Sequence, residues 1–153
     1  MIIVPATVEH WEVLSALAKQ TFDETFGHIY TPSDLETHLN TKYTHDLMVA
    51  EIKSEIVYFL CNDDDAAARA PVGFFQLKPN SRNELMAVDE FADPCWELHR
   101  FYLTNATQGK GGGSLLMRFA LEKLKEVGAK SLWLSVWSEN FKAQHFYEKF
   151  GIK

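Results

Sequence analysis

Seven residues lodged between a strand pattern and a helix pattern constrain this chain more than any other stretch: Gln108, Gly109, Lys110, Gly111, Gly112, Gly113 and Ser114. Upstream, residues 96–103 read as a strand. Downstream, residues 112–127 place Leu115, Leu116, Phe119, Ala120, Leu124 and Val127 on one helical face. Gly128 ends that helix, as glycine does just past a C-terminus, and residues 131–137 read as another strand. Strand, glycine-rich loop, helix and strand make a βαβ unit, so the two strands are expected to run parallel in one sheet. The glycines permit positive φ and leave no Cβ between the backbone amides and a ligand. The helix start adds unpaired N–H groups and the positive end of its dipole, a setting for a phosphate or pyrophosphate.

Elimination narrows the anion. A phosphate-binding loop of the G-K-[ST] type needs a hydroxyl after the lysine, and Lys110 is followed by Gly111. The dinucleotide pattern G-x-G-x-x-G, counted from Gly109 and Gly111, meets Ser114 at its third position. It also expects an acidic residue after the next strand, where Trp137 and Ser138 stand. Both nucleotide readings are weak, and a flexible turn feeding a helix is the plain alternative.

The rest of the chain supplies the frame. Thr7 is a candidate N-cap for a helix carrying Trp11, Leu14, Leu17, Ala18 and Phe22 at helical spacing, interrupted at Gly27. Thr31-Pro32 reads as N-cap plus first-turn proline, with Asp34 in the first turn and the helix running to about Thr41. A short helical stretch is expected over residues 46–52. Residues 56–61 and 72–77 read as an antiparallel strand pair, residues 79–94 as loop, and residues 140–149 as a last helix. These elements predict an α/β (α+β) domain with a mixed sheet, its first half antiparallel and its second a parallel βαβ crossover, with helices on both faces.

At 153 residues the chain is expected to form a single domain over 1–153. Fifteen Lys+Arg against 21 Asp+Glu leave a net charge of −6, which argues against nucleic acid as a partner and favours cationic ligands such as small amines. Two cysteines, Cys61 and Cys95, lack metal-ligand spacing and a disulfide framework, and no metal is expected. The Asp63–Asp65 run reads as a solvated turn. The start has no signal-peptide pattern and no apolar run reaches the length of a membrane span, so a cytoplasmic protein with no membrane partner is expected.

Gln108-x-x-Gly111-x-Gly113, following residues 97–103, resembles the acetyl-CoA loop of the GNAT family of N-acetyltransferases. Asn140-x-x-Ala143-x-x-Phe146-Tyr147, followed by Phe150-Gly151, resembles that family's last motif. Together the likeness covers about residues 70–153. Earlier, Thr21-Phe22-Asp23-Glu24-Thr25-Phe26 with Asp34-Leu35 resembles the bacterial polyamine (spermine/spermidine) acetyltransferases of the family.

The resemblance implies an acetyl-CoA-dependent N-acetyltransferase, with acetyl-CoA as cosubstrate and a primary amine of a small molecule, a polyamine among others, as acceptor. The alternatives are a non-catalytic CoA or acetyl-CoA sensor and a protein N-acetyltransferase. It further implies that residues 108–114 bind the CoA pyrophosphate and that Phe101, Tyr102 and Leu103 pair with the pantetheine arm. Asn140 and Phe146 would contact the cofactor, Asn140 being equally suited to cap a helix. Tyr147 would protonate the departing thiolate, a buried structural aromatic being the alternative. Glu97, through water, is the first candidate base and His99 the second, although Glu97 could instead pair with an arginine. With no bulge between them, strand parity puts Glu97, His99, Phe101 and Leu103 on one face. Phe22, Glu24, Phe26 and Tyr30 are the candidate acceptor-binding residues, a solvated helix face being the alternative for the acidic pair. Family members continue past Phe150-Gly151 with a two-stranded hairpin, whereas only Ile152 and Lys153 follow here. A C-terminally short domain is therefore expected: either a shortened version of a longer protein, or one whose exposed strand edge is covered by another chain, through a homodimer or edge-strand pairing, or by an early segment.

Overall fold

Phe59, Phe74 and Phe75 are fully buried in adjacent strands, and the fold is arranged around the two faces they define. The computed structural model describes residues 1–82 and 92–151. It contains a five-stranded sheet in the order β1-β2-β3-β4-β5, made of β1 (Ile2–Pro5), β2 (Ile56–Cys61), β3 (Gly73–Lys78), β4 (Cys95–Leu103) and β5 (Ser131–Trp133). The first three pairings are antiparallel and the last, β4 with β5, is parallel. The mixed sheet and its crossover match the expectation. Two strands differ from it. β1 is an addition to the predicted elements; its β-branched Ile2-Ile3-Val4 run pairs Ile3 with Leu60 and ends at Pro5, where the ladder can lose a donor. The strand expected over residues 131–137 stops at Trp133, because beyond the Glu97–Trp133 pair it no longer follows β4. Among the described residues no strand pairs with the outer edge of β5.

Among the described residues five α-helices accompany the sheet: α1 (Trp11–Phe26), α2 (Pro32–Lys42), α3 (His45–Ser54), α4 (Gly112–Glu126) and α5 (Phe141–Glu148). Thr7 precedes a short 3₁₀ turn leading into α1, rather than α1 itself. Thr31 caps α2, its Oγ1 accepting from the Asp34 N–H at 3.2 Å, with Pro32 at the first helical position. Leu14, Leu17 and Ala18 of α1 and Met48 of α3 pack with Val57, Phe59 and Phe74 on one face. Leu116, Met117, Ala120 and Leu124 of α4 pack with Leu60, Phe75, Leu77 and Leu98 on the other. Each such buried valine, leucine, methionine or phenylalanine is worth roughly 1.5–3 kcal/mol of transfer free energy. Helices therefore sit on both faces, as expected. The loop reading for residues 79–94 falls largely on residues 83–91, outside the described residues, as do Ile152 and Lys153. Among the described residues no helix is long and apolar enough to cross a membrane.

The buried acids set an alkaline limit. Burial, then Asp65, pushes the Cys61 thiol up from 9.0 to about 11; burial pushes the Tyr43 phenol from 10.0 to about 12 against the pull of Arg100. The unfolded chain releases these protons first, so their stabilising effect is complete below about pH 9 and is lost as pH rises through the folded values. The melting temperature followed by circular dichroism should stay level from neutral to about pH 9 and fall steadily above about pH 10. A midpoint that holds level to about pH 11 would contradict this.

Candidate active site

The loss of pairing after Trp133 opens the sheet. β4 and β5 are hydrogen-bonded over residues 95–97 and 131–133 only, after which residues 134–137 leave residues 98–103. Between them lies a cavity of about 680 Å³, lined on one side by residues 98–103 of β4 and on the other by Leu134, Ser135, Val136 and Trp137. That volume is of the size that holds a small-molecule ligand. Thr104 donates its N–H to Val72 O at 2.9 Å, toward the β3 side. Strand alternation therefore turns the N–H and C=O of Leu103 and Phe101 to the opposite, unpaired edge. Consistent with this, Leu103 O accepts from Gln108 Nε2 at 3.3 Å. An extended ligand bearing amides has matching donors and acceptors along this edge.

β4 also carries a bulge. Gln76 pairs with Arg100 but Leu77 with Leu98, so His99 is the extra residue. The parity expectation fails here. Phe101 and Leu103 pack toward α4, whereas His99 Nδ1 lies 2.8 Å from Glu55 Oε1, just past α3. Glu97 accepts from Ser81 Oγ at 2.9 Å and is not among the cavity-lining residues; His99 is.

The glycine loop has the conformation its composition demands. Gly109 and Gly111 have φ of +80° and +81°, and Gly111 is the N-cap of α4. A Cβ at either would meet nothing within 4 Å, so their need for glycine is conformational. Gly113 has no positive φ; its reason is contact, because a Cβ would stand 3.3 Å from the Phe146 ring. Gly112 faces inward, 2.9 Å from Leu60 Cδ2 by the same measure. The first intrahelical bond here is from Leu115 N–H to Gly111 O, so the amides of Gly112, Gly113 and Ser114 are the unpaired N–H groups of the helix start.

Of the residues expected to hold the cofactor, Phe101, Tyr102, Leu103, Gln108, Gly109, Gly111, Gly113, Ser114, Asn140 and Phe146 line the cavity, while Lys110 and Gly112 do not. Asn140 caps α5, its Oδ1 accepting from the Ala143 N–H at 3.2 Å. Tyr147 lines the same cavity and packs against Phe146 and Phe101, with ring centroids 5.6 and 6.4 Å away. Burial, and then Tyr102, hold its phenol well above the usual 10.0, so it carries its proton at neutral pH. Lys142 lies outside the residues that the sequence motifs single out. Its Nζ donates to Gln108 Oε1 at 2.7 Å, placing a cation beside the glycine loop. The one sequence signal for it is its place in the first turn of the helix whose motif follows the loop.

The expected acceptor residues are divided. Phe26 lines the cavity, together with Thr25. Phe22 stacks on His38 at 3.9 Å and meets Tyr30 edge-on at 5.4 Å, forming an internal aromatic cluster away from the lining. Glu24 accepts from the Asn105 N–H at 2.9 Å, which ties α1 to the loop after β4.

Comparison with known proteins agrees with this geometry. The family model described as the acetyltransferase (GNAT) family matches residues 15–152. An uncharacterized N-acetyltransferase from the pepI 3′ region of Lactobacillus delbrueckii subsp. lactis is 33% identical over 140 residues, 90% of this chain and 75% of that protein. Two solved structures share the fold. The PaiA N-acetyltransferase of Thermoplasma acidophilum, in complex with coenzyme A, is 23% identical with a TM-score of 0.76, the match covering 98% of this chain and 89% of that one. A GCN5-related N-acetyltransferase from Ralstonia eutropha is 15% identical with a TM-score of 0.75, covering 99% and 92%. A cleft opened by splayed parallel strands beside a helix start with unpaired amides, in a chain matched by the family model over nearly all its length, leads to one assignment: the chain belongs to the acetyltransferase (GNAT) family of acyltransferases.

Proposed function

We propose that this protein transfers the acetyl group of acetyl-CoA to a primary amine of a small molecule by direct attack. The observation that carries this reading is the unpaired edge of β4 at Phe101 and Leu103, opening on one cavity with the glycine loop and Tyr147. The residues fit the cosubstrate. The amides of Gly112, Gly113 and Ser114 and the ammonium of Lys142 suit its pyrophosphate, and the β4 edge suits its pantetheine amides. An N–H on that edge would polarise the thioester carbonyl. In the reaction the amine nitrogen bonds to the acetyl carbon, the carbon–sulfur bond breaks, the thiolate takes a proton from Tyr147 Oη, and the excess proton left on the nitrogen after attack passes through solvent to the tyrosinate. The amine, largely protonated at neutral pH, must first lose a proton to a base. Glu97 acting through water and His99 are the two candidates.

Polyamines are the acceptor class favoured here. The chain carries a net charge of −6, which attracts a flexible polycation. The polyamine-like segment supports the class less directly, since Glu24 is engaged by Asn105. The test is thiol release from acetyl-CoA with a panel comprising spermidine, ethylamine, an aminoglycoside, an amino acid and a peptide with a free N-terminus. Spermidine is expected to give the highest kcat/KM. Preference for the peptide would move the acceptor to protein N-termini. Release with none of the panel, with coenzyme A still bound, would leave a sensor.

A further inference from the structure

Beneath β4 lies a polar cluster whose members come from three places in the chain. Glu51 on α3 and Glu55 just past it are one helical turn apart, Gln76 is on β3, and His99 and Arg100 are neighbours on β4. The Glu55 side chain is 3% exposed, that of Arg100 13% and that of Glu51 16%. Gln76 Nε2 donates to Glu51 Oε1 at 2.9 Å and to Glu55 Oε1 at 3.2 Å, while its Oε1 accepts from Arg100 Nη1 at 2.8 Å. Arg100 Nη1 also donates to Glu51 Oε1. Glu51, Glu55 and His99 are close enough together to suggest a metal site. The Arg100 guanidinium already occupies Glu51, however, and would repel a cation there.

The cluster is suited to a proton instead. Two carboxylates face one guanidinium, leaving one negative charge that a proton on His99 would balance. A carboxylate only accepts, so the 2.8 Å contact with Glu55 Oε1 requires the hydrogen on His99 Nδ1. In the neutral ring this leaves Nε2 as the accepting nitrogen. His99 lines the cavity, and among the described residues its Nε2 has no hydrogen-bond partner. The bulge matters to this arrangement, because it sets His99 and Arg100 together on the α3 side between Leu98 and Phe101, which both lie on the α4 side.

We infer that Glu55 is a positioning residue for the amine-deprotonation step: through Nδ1 it fixes the tautomer and orientation of His99, whose Nε2 takes the proton of the acceptor ammonium. This rests on the acetyl-transfer reading above and chooses between its two candidate bases. The proton passes from the ammonium nitrogen to Nε2, the imidazolium is balanced by Glu55, and the freed lone pair attacks the acetyl carbon.

The test compares two acceptors that differ in whether they must lose a proton before attack. Ethylamine is protonated at neutral pH, whereas trifluoroethylamine is not. His99→Gln and Glu55→Gln should each lower kcat/KM for ethylamine by about 30-fold, and for trifluoroethylamine by less than about 3-fold, with the Kd for coenzyme A unchanged. Equal losses with the two amines, or no loss, would overturn the inference, since a purely structural role does not distinguish amines by basicity. If Glu55→Gln does not fold, His99→Gln together with Glu55→Asp decides it. Glu55→Asp should retain more ethylamine activity than His99→Gln, and the reverse order would count against Glu55. Wild-type protein that acetylates neither these probes nor any amine of the panel above would remove the amine-acetylation reading and this inference with it, so the wild-type control tells the two failures apart.

Discussion

Replacing Gly111 by valine should weaken coenzyme A binding by about 100-fold or more while leaving a folded protein. Gly111 is the N-cap of α4 at φ +81°. An L-residue in that left-handed region costs about 1–2 kcal/mol, and a β-branched one more. The backbone escapes the cost by moving φ to negative values, and that rotation redirects the amides at the start of α4. No protein atom lies within 4 Å of the added Cβ, so the loss falls on the loop and its ligand rather than on the core. Circular dichroism should be unchanged and the melting temperature lowered by only a few degrees, about what 1–2 kcal/mol produces in a domain of this size. Gly112→Val makes the contrast. Its side chain would meet Leu60 Cδ2 at 2.9 Å and Met1 Sδ at 3.1 Å, so its first effect should be on stability, by about 1–3 kcal/mol. Unchanged coenzyme A affinity in Gly111→Val, measured by calorimetry, would remove this loop from the site.

Tyr147→Phe should lower kcat by about 100-fold at saturating acetyl-CoA, with the Kd for coenzyme A within about 2-fold of wild type. The substitution keeps the ring against Phe101 and Phe146 and removes only the hydroxyl, so it opens no cavity. Burial holds the phenol well above 10.0, which keeps it neutral and able to donate through the whole physiological range. So weak an acid does not give up its proton early. In the proposed reaction it would donate a hydrogen bond to sulfur as negative charge develops there and complete the transfer once the carbon–sulfur bond has broken. The same burial strengthens the thiolate as a base, which keeps donor and acceptor matched. Because the phenol is raised rather than lowered, its ionisation should not reduce the rate between neutral pH and about pH 10. A variant with wild-type kcat would show Tyr147 to be a packing residue.

The parts of this protein that depend on near neighbours in the chain are legible in the sequence itself. The Gln108–Ser114 composition announces its positive φ values because only glycine meets them cheaply, and Gly109 and Gly111 have them. Thr31, Pro32 and Asp34 announce the start of α2 because a cap is satisfied within three residues. The Ile2-Ile3-Val4 run is just as local but too short to separate from a helix lead-in, and pairing with β2 makes it a strand. Asn140 is the intermediate case: its capping bond to Ala143 is local, while its place on the cavity depends on how α5 packs.

By itself the sequence determined the βαβ unit, the glycine-rich helix start and the family motifs, all of which are patterns of local conformation and periodicity. Only the tertiary structure decided where the sheet opens, which side His99 takes and which groups meet it. The bulge at His99 is a matter of register against β3, and a single inserted residue reverses the face of everything beyond it. The split between β4 and β5 is set by where their pairing stops, after Glu97 and Trp133. Glu55 meets His99 across 44 positions and Lys142 meets Gln108 across 34, distances over which side-chain spacing in sequence carries no geometric information. Such contacts arise from the packing of separate elements on a common sheet, and packing is a property of the whole chain.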